Sequence, residues 1–373
     1  MTLKTILTST LLCSSVAGFA QQQQTQHSNI HLGLIYPLSS NGVQAKNYSN
    51  EFSLHGIAGV SASEKAFCAS GATNIILEDA EGAVLGGFSN HIGGNANGFV
   101  AGGFLNYIRY SADGMQAAGF ANLAGNGSGV QTAGFANITR GEFYGVQASG
   151  FINIAQNTVL QLGGFANIAA DVQTVQTAGF INVARDVNTQ IAGFINIAKE
   201  VKGVQFAGFI NIADSSDYPV GLINLVKKGE KTISVSVDDN MSVIGAFRSG
   251  GKKLYGIVGA GYNMRTTKLL YAMEAGIGAH VYTHKAFRLN IEASATTLTD
   301  FWTEANMKSA LRIYPSVKLG EKWEIFAGPS VNFSEYEIST SKDFDTNYIW
   351  SNTYWGRFYG LSIGGFAGVQ LHL

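Results

Sequence analysis

The residue types that most often do chemistry are thinly spread in this chain. It carries 7 histidines and 2 cysteines, and only Cys68 lies beyond the first twenty residues, which excludes an intrachain disulfide framework. A lone cysteine is most simply a small buried apolar residue. His280 and His284 are four apart, but at a strand end that spacing gives no shared face for a metal. Asp238 and Asp239 fall at an expected hairpin turn, where Asp suits the turn geometry. Glu274 with Arg288, and Glu292 with Arg312, could converge inside a barrel, where a hydrolytic site would want carboxylates. Side chains that merely fill a lumen pair in the same way. No nucleophile elbow, phosphate loop or zinc spacing is present. The expectation is a non-enzymatic protein with no catalytic residues, no cofactor and no metal.

The elements that hold these residues are set by a repeat. Ten copies of G-(F/L)-x-N place asparagines at Asn90, Asn106, Asn122, Asn137, Asn153, Asn167, Asn182, Asn196, Asn211 and Asn224, spaced by 13 to 16 residues. Gln precedes the Asn by six positions in seven copies, from Gln116 to Gln205. Self-similarity at so short a period indicates a repeat architecture. It is too short for helix pairs, and glycine with β-branched and aromatic neighbours opposes helix. In "VQTAGFANI", period 2 puts Val130, Thr132, Gly134, Ala136 and Ile138 on one face and Gln131, Ala133, Phe135 and Asn137 on the other.

A solenoid would stack identical positions about 4.8 Å apart, with Phe in a column and Asn and Gln in amide ladders. An antiparallel meander would impose a two-copy alternation, and none is visible. The solenoid is therefore the expectation. Asn47 and Asn137 begin N-x-(S/T) sequons, and the second reads as accidental because it sits within the repeat.

Outside the repeat the pattern changes to longer alternating strands. "FRLNIEASATT" sets Phe287, Leu289 and Ile291 against Arg288, Asn290 and Glu292, and "LRIYPSVKLG" sets Leu311, Ile313 and Val317 against Arg312, Tyr314 and Ser316. Such strands match those of transmembrane barrels. The closing "GLSIGGFAGVQLHL" resembles the last strand of bacterial outer-membrane barrels, although it ends in Leu373 where an aromatic is usual. Strands near 29–38 and 51–61, with seven beyond residue 240, give nine. Even parity requires one more. "TISVSV" (Ile233, Val235, Val237) would put the repeat on the short-turn, periplasmic side or inside the barrel, and "TNIILED" (73–79) would put it outside the cell.

The predicted architecture is all-β: a β-solenoid of about 15-residue period inserted into an antiparallel outer-membrane-type barrel of 8–10 strands. Residues 1–20 read as a signal peptide, with Lys4, an apolar stretch and a Gly18-Phe19-Ala20 cleavage site. Residues 21–65 read as the first barrel strands, 66–230 as the repeat and 231–373 as the remaining strands. The charge-poor stretch 143–170 is rejected as a membrane helix, because its order follows the repeat. Net charge is −1 with 13% charged residues, which offers nothing to a nucleic acid.

The recurring G-V-Q-x-A-G-F-x-N, with "YPLSSNG", "EFSLHGIAGV", "DYPVGLINLVKKGEK" and "FRSGGKKLYGIVGAGYN", resembles a bacterial family of surface-repeat proteins best known from spirochaetes and Bacteroidetes. The resemblance covers most of the chain beyond the leader. It implies an exported outer-membrane or envelope protein of uncharacterised function, with no catalytic residues to carry over. Expected partners are outer-membrane lipid and a glycan or another envelope protein. Two other roles fit less well: a channel with the repeat as plug or gate, and an adhesin.

Overall fold

The computed structural model describes residues 25–266, 269–302, 305–337 and 347–373, so the expected signal peptide lies outside the described residues. No helix among them is long and apolar enough to cross a membrane. The chain forms two β structures in succession, a parallel solenoid and a closed antiparallel barrel.

The solenoid runs from Gln26 to Val226 in about 12 coils. Each coil pairs in parallel with the next, in register on the repeat. Asn137 lies opposite Asn122 on one side and Asn153 on the other, and Gln147 lies opposite Gln131 and Gln161. The glycine of every copy but the last is demanded by this stacking. A Cβ on Gly150 would stand 2.2 Å from the carbonyl oxygen of Gly134, one coil below, and Gly134 stands in the same relation to Gly119.

Two expectations need correction here. The phrase "VQTAGFANI" is not one strand, because the chain bends at Gly134–Phe135 between Ala121–Ala133 and Ala136–Thr139. The bend breaks the alternation: Gln131 and Asn137 point inward and are fully buried, while Phe135 is 41% exposed. The stretches 29–38 and 51–61 are not barrel strands either. Gln26–Ile35 pairs in parallel with Tyr48–Ser61, which pairs with the coils that follow. The solenoid thus precedes the barrel and is not inserted into it.

The barrel has eight strands: Glu230–Asp238, Ser242–Gly250, Leu254–Asn263, Tyr271–His284, Phe287–Thr299, Ala305–Leu319, Trp323–Glu337 and Arg357–His372. The last closes onto the first, with Val235 opposite Val369. A further strand, Tyr348–Tyr354, pairs with the N-terminal half of the closing strand. "TISVSV" lies in the first barrel strand and "TNIILED" within the solenoid. Parity is kept, at eight instead of ten. The turns after Gly250, His284 and Leu319 are short, and both the solenoid junction and the C-terminus lie at that end.

The last coil rests on the outside of the barrel wall near this short-turn end. Gly256 is needed there, since a Cβ would meet the carbonyl oxygens of Gly221 and Leu222 at 2.1 and 2.4 Å.

Candidate functional site

The barrel is inside out relative to a water-soluble one. Ile233, Val235, Met273, Ile277, Leu311, Ile313 and Val331 point outward and are each 46–52% exposed. Alternating with them, Ser234, Glu274, Glu292, Arg312 and Asn332 are buried in the lumen. Aromatic residues ring both ends of the outer wall, Tyr262 and Tyr271 at the long-loop end and Phe287 and Trp323 at the short-turn end. A bulge between His280 and Tyr282 interrupts the alternation, so that Val281 and Tyr282 both point outward.

The lumen is packed with ion pairs at three heights. Midway, the Glu292 carboxylate accepts hydrogen bonds from Arg248 Nε at 2.8 Å, Tyr255 Oη at 3.0 Å and Tyr314 Oη at 2.6 Å. Arg312 lies 2.6 Å from Glu274 and 3.6 Å from Glu292. Toward the short-turn end Arg288 grips Glu230 with two bonds of 2.5 and 2.6 Å, and His372 lies 2.7 Å from Glu324. Toward the long loops Lys308 pairs with Asp238 and lies 3.7 Å from Asp239. The Glu292–Arg312 pairing expected from the sequence therefore forms, whereas Glu274 pairs with Arg312 and not with Arg288. His280 turns into the lumen and His284 stays exposed, so the two do not meet.

This network fills much of the lumen. Cavities in the lumen beside Lys308 and Tyr336, and beside Arg288 and Tyr314, have volumes of about 20 Å³ each, room for roughly one water. Among the described residues Glu230, Glu274, Glu292, Glu324 and Asp238 each have a cationic or histidine partner, so the pairs hold one another and the walls together. Desolvated charges of this kind are tolerated only when paired and hydrogen-bonded.

Sequence reasoning missed a second polar cluster, inside the N-terminal coils. Glu64 is fully buried and accepts hydrogen bonds from Ser53 Oγ at 2.8 Å and Asn50 Nδ2 at 3.1 Å. His31 and His55 sit beside it, with His55 Nε2 3.3 Å from His31 Nδ1. Burial, and then the neighbouring His55, lowers the His31 pKa to about 4, while burial raises Glu64 to about 7. Among the described residues no group of three or more His, Cys, Asp or Glu is arranged to hold a metal. His31 and Ser53 occupy the inward column that Gln takes in later coils, with His31 opposite Ser53 and Ser53 opposite Cys68, whereas Glu64 lies opposite Ala80 in the column that later holds small apolar residues. Their only sequence signal is that they precede the regular repeat.

The solenoid's outer corner carries the phenylalanines. From Phe88 to Phe209 nine rings stack with centroids 4.7–5.1 Å apart and planes within 16° of parallel. Ring faces cover one another and only edges reach the surface. Beside them runs an open groove of about 1010 Å³, floored by Ala, Gly, Ser and Thr from Ala69 to Thr177.

No family model, no curated protein and no solved structure matches this chain.

Proposed function

We propose that this is a non-enzymatic membrane anchor: the barrel spans an outer-membrane-type bilayer and holds the solenoid at its short-turn, periplasmic side. The observation that carries this reading is the reversal of polarity across the barrel wall. Side chains such as Ile313 and Val331 at nearly half exposure, beside a fully buried Glu292, make sense when hydrocarbon lies outside. In water the same wall would expose far more contiguous apolar surface than a soluble monomer normally carries. The aromatic rings at both ends and strands of 9–16 residues fit a bilayer. The repeat phrases resembling surface-repeat proteins support the same compartment.

The filled lumen favours anchoring over transport, because cavities of about 20 Å³ each hold roughly one water. The stacked rings disfavour glycan binding by ring faces, which are already covered. Reconstitution tests the reading. The protein should float with lipid vesicles, resist alkaline extraction and stay electrically silent in planar bilayers. Recovery as a soluble species without detergent would refute it, and discrete conductance steps would restore the channel.

A further inference from the structure

The solenoid's outer surface is divided lengthwise. Its charges gather along one edge, where Arg140, Arg185 and Lys199 lie in the turns between coils and Glu200 opens the strand that follows. The rest of the surface is apolar in register. One outward column runs from Phe52 through Met115 and Val146 to Val204, and a second runs from Leu54 through Ala101 and Leu162 to Phe206 and Val220. The phenylalanine corner and the column after the asparagines, from Tyr107 to Leu225, complete the surface. None of these four columns contains Asp, Glu, Lys or Arg. Leu162, Ile191 and Phe206 are 44%, 40% and 46% exposed. The result is a wedge roughly 40 Å long with the phenylalanines at its apex.

The wedge does not end in water. Val220, last in the second column, borders a cavity of about 180 Å³ shared with Ile277, Ile291 and Ala293 on the barrel's outer wall. Leu222, which takes the place of Phe in the final copy, borders an adjoining groove of about 560 Å³ with Leu311, Val331 and Phe333. The apolar surface of the solenoid therefore turns the corner into the apolar surface of the barrel.

We infer that the solenoid lies along the leaflet at the barrel's short-turn end, with its phenylalanine wedge seated among lipid acyl chains and its charged edge in water. This rests on the reading of the barrel as membrane-spanning. The lipid that coats Ile277 and Ala293 continues onto Val220 and Leu222 with no polar break. An apolar surface of this extent, opposed by a charged edge, partitions into the interface as an amphipathic helix does.

The test uses the full chain in phosphatidylcholine vesicles, in a Cys13→Ser background, with Cys68 retained because it is buried. A fluorophore is attached at Leu162→Cys, Ile191→Cys, the barrel-wall control Ile313→Cys or the charged-edge control Arg185→Cys. Quenching by acyl-chain nitroxides at 162 and 191 should come within about twofold of that at 313, and 185 should respond to a water-soluble quencher instead. Two positions on separate coils guard against one substitution disturbing its own coil. Quenching at 313 with 162 and 191 open to the aqueous quencher would overturn the inference and leave the anchor standing. Shielding of 162 and 191 from both quenchers would overturn it in favour of a second copy or another protein. Absence of acyl-chain quenching at 313 would overturn both readings.

Discussion

Asn224, the last asparagine of the repeat, donates its backbone N–H to Ser249 Oγ on the barrel wall at 2.9 Å, and its Nδ2 reaches the Ser249 carbonyl oxygen at 3.2 Å. The repeat's own bonding pattern is thus handed to the barrel at one residue. Ser249→Ala should weaken the joint by about 1 kcal/mol. Gly256→Val, which forces a side chain against Gly221 and Leu222, should free the last coil. Limited trypsin digestion reads this out: cleavage at Lys227 and Lys228 should accelerate strongly in Gly256→Val and slightly in Ser249→Ala. Equal resistance in all three proteins would mean the joint is held elsewhere.

The buried amides should matter more than the exposed rings. Asn153 Nδ2 donates to Leu162 O at 2.7 Å and to Asn167 Oδ1 at 2.9 Å, while its own Oδ1 accepts from Asn137. Asn153→Leu strands a buried donor and two acceptors, for a loss of about 3 kcal/mol. Phe151→Ala should cost about 1 kcal/mol, since its ring is 39% exposed and loses mainly stacking. Denaturant midpoints of the solenoid transition should rank the two in that order.

In the lumen, Arg248→Leu leaves Glu292 buried without its closest cation and should cost about 3–5 kcal/mol. The double variant Arg248→Leu/Glu292→Leu should recover much of that loss, because Arg312 keeps Glu274 at 2.6 Å. Urea unfolding in detergent, followed by tryptophan fluorescence, measures both. A double variant no more stable than the single one would show that losing Arg248 does not leave Glu292 as an uncompensated buried charge.

Much of this architecture could be read from the sequence, for specific reasons. The period survived because stacked coils force the same glycine into the same place: Gly134, Gly150 and Gly164 each face a carbonyl oxygen of the coil below. The barrel strands from Phe287 to Leu319 survived because alternation is enforced wherever one face is charged and the other apolar. Period 2 misplaces Phe135 because it holds only within a strand, and the Gly-Phe corner lies between two. The stretches 29–38 and 51–61 read as barrel strands because they alternate but lack the G-F-x-N phrase. Partners across the lumen, such as Arg248 with Glu292, 44 residues apart, depend on strand tilt and register, which no local pattern encodes.

The N-terminal coils should show opposing pH responses. Burial raises the Glu64 pKa from 4.5 to about 7, so its stabilising contribution is complete below 4.5 and fades as pH rises toward 7. Burial lowers His31 from 6.5 to about 4, so its contribution is complete above 6.5 and fades as pH falls toward 4. Between 4.5 and 6.5 the two slopes oppose each other. In the native protein, amide-exchange protection at Ser53 and Phe67 should stay nearly level there. In Glu64→Gln only the histidine slope remains, so protection should fall with acid. Above pH 7 the same variant should be the more stable by about 2 kcal/mol. A level profile in the variant would refute the assignment.

The two amide ladders run in opposite senses. Each asparagine hands its hydrogen to the next one along the chain, from Asn74 to Asn224. Each glutamine hands its hydrogen back to the one before, from Gln205 to Gln116. Opposed rows of side-chain dipoles largely cancel, so lengthening the rod by another copy adds little field at its tips. The glutamine row ends with Gln116 Nε2 and Gln205 Oε1 unclaimed, at the places where Val100 and Pro219 take over the position. A copy added between those two stops would lengthen both rows without leaving a further amide unpaired.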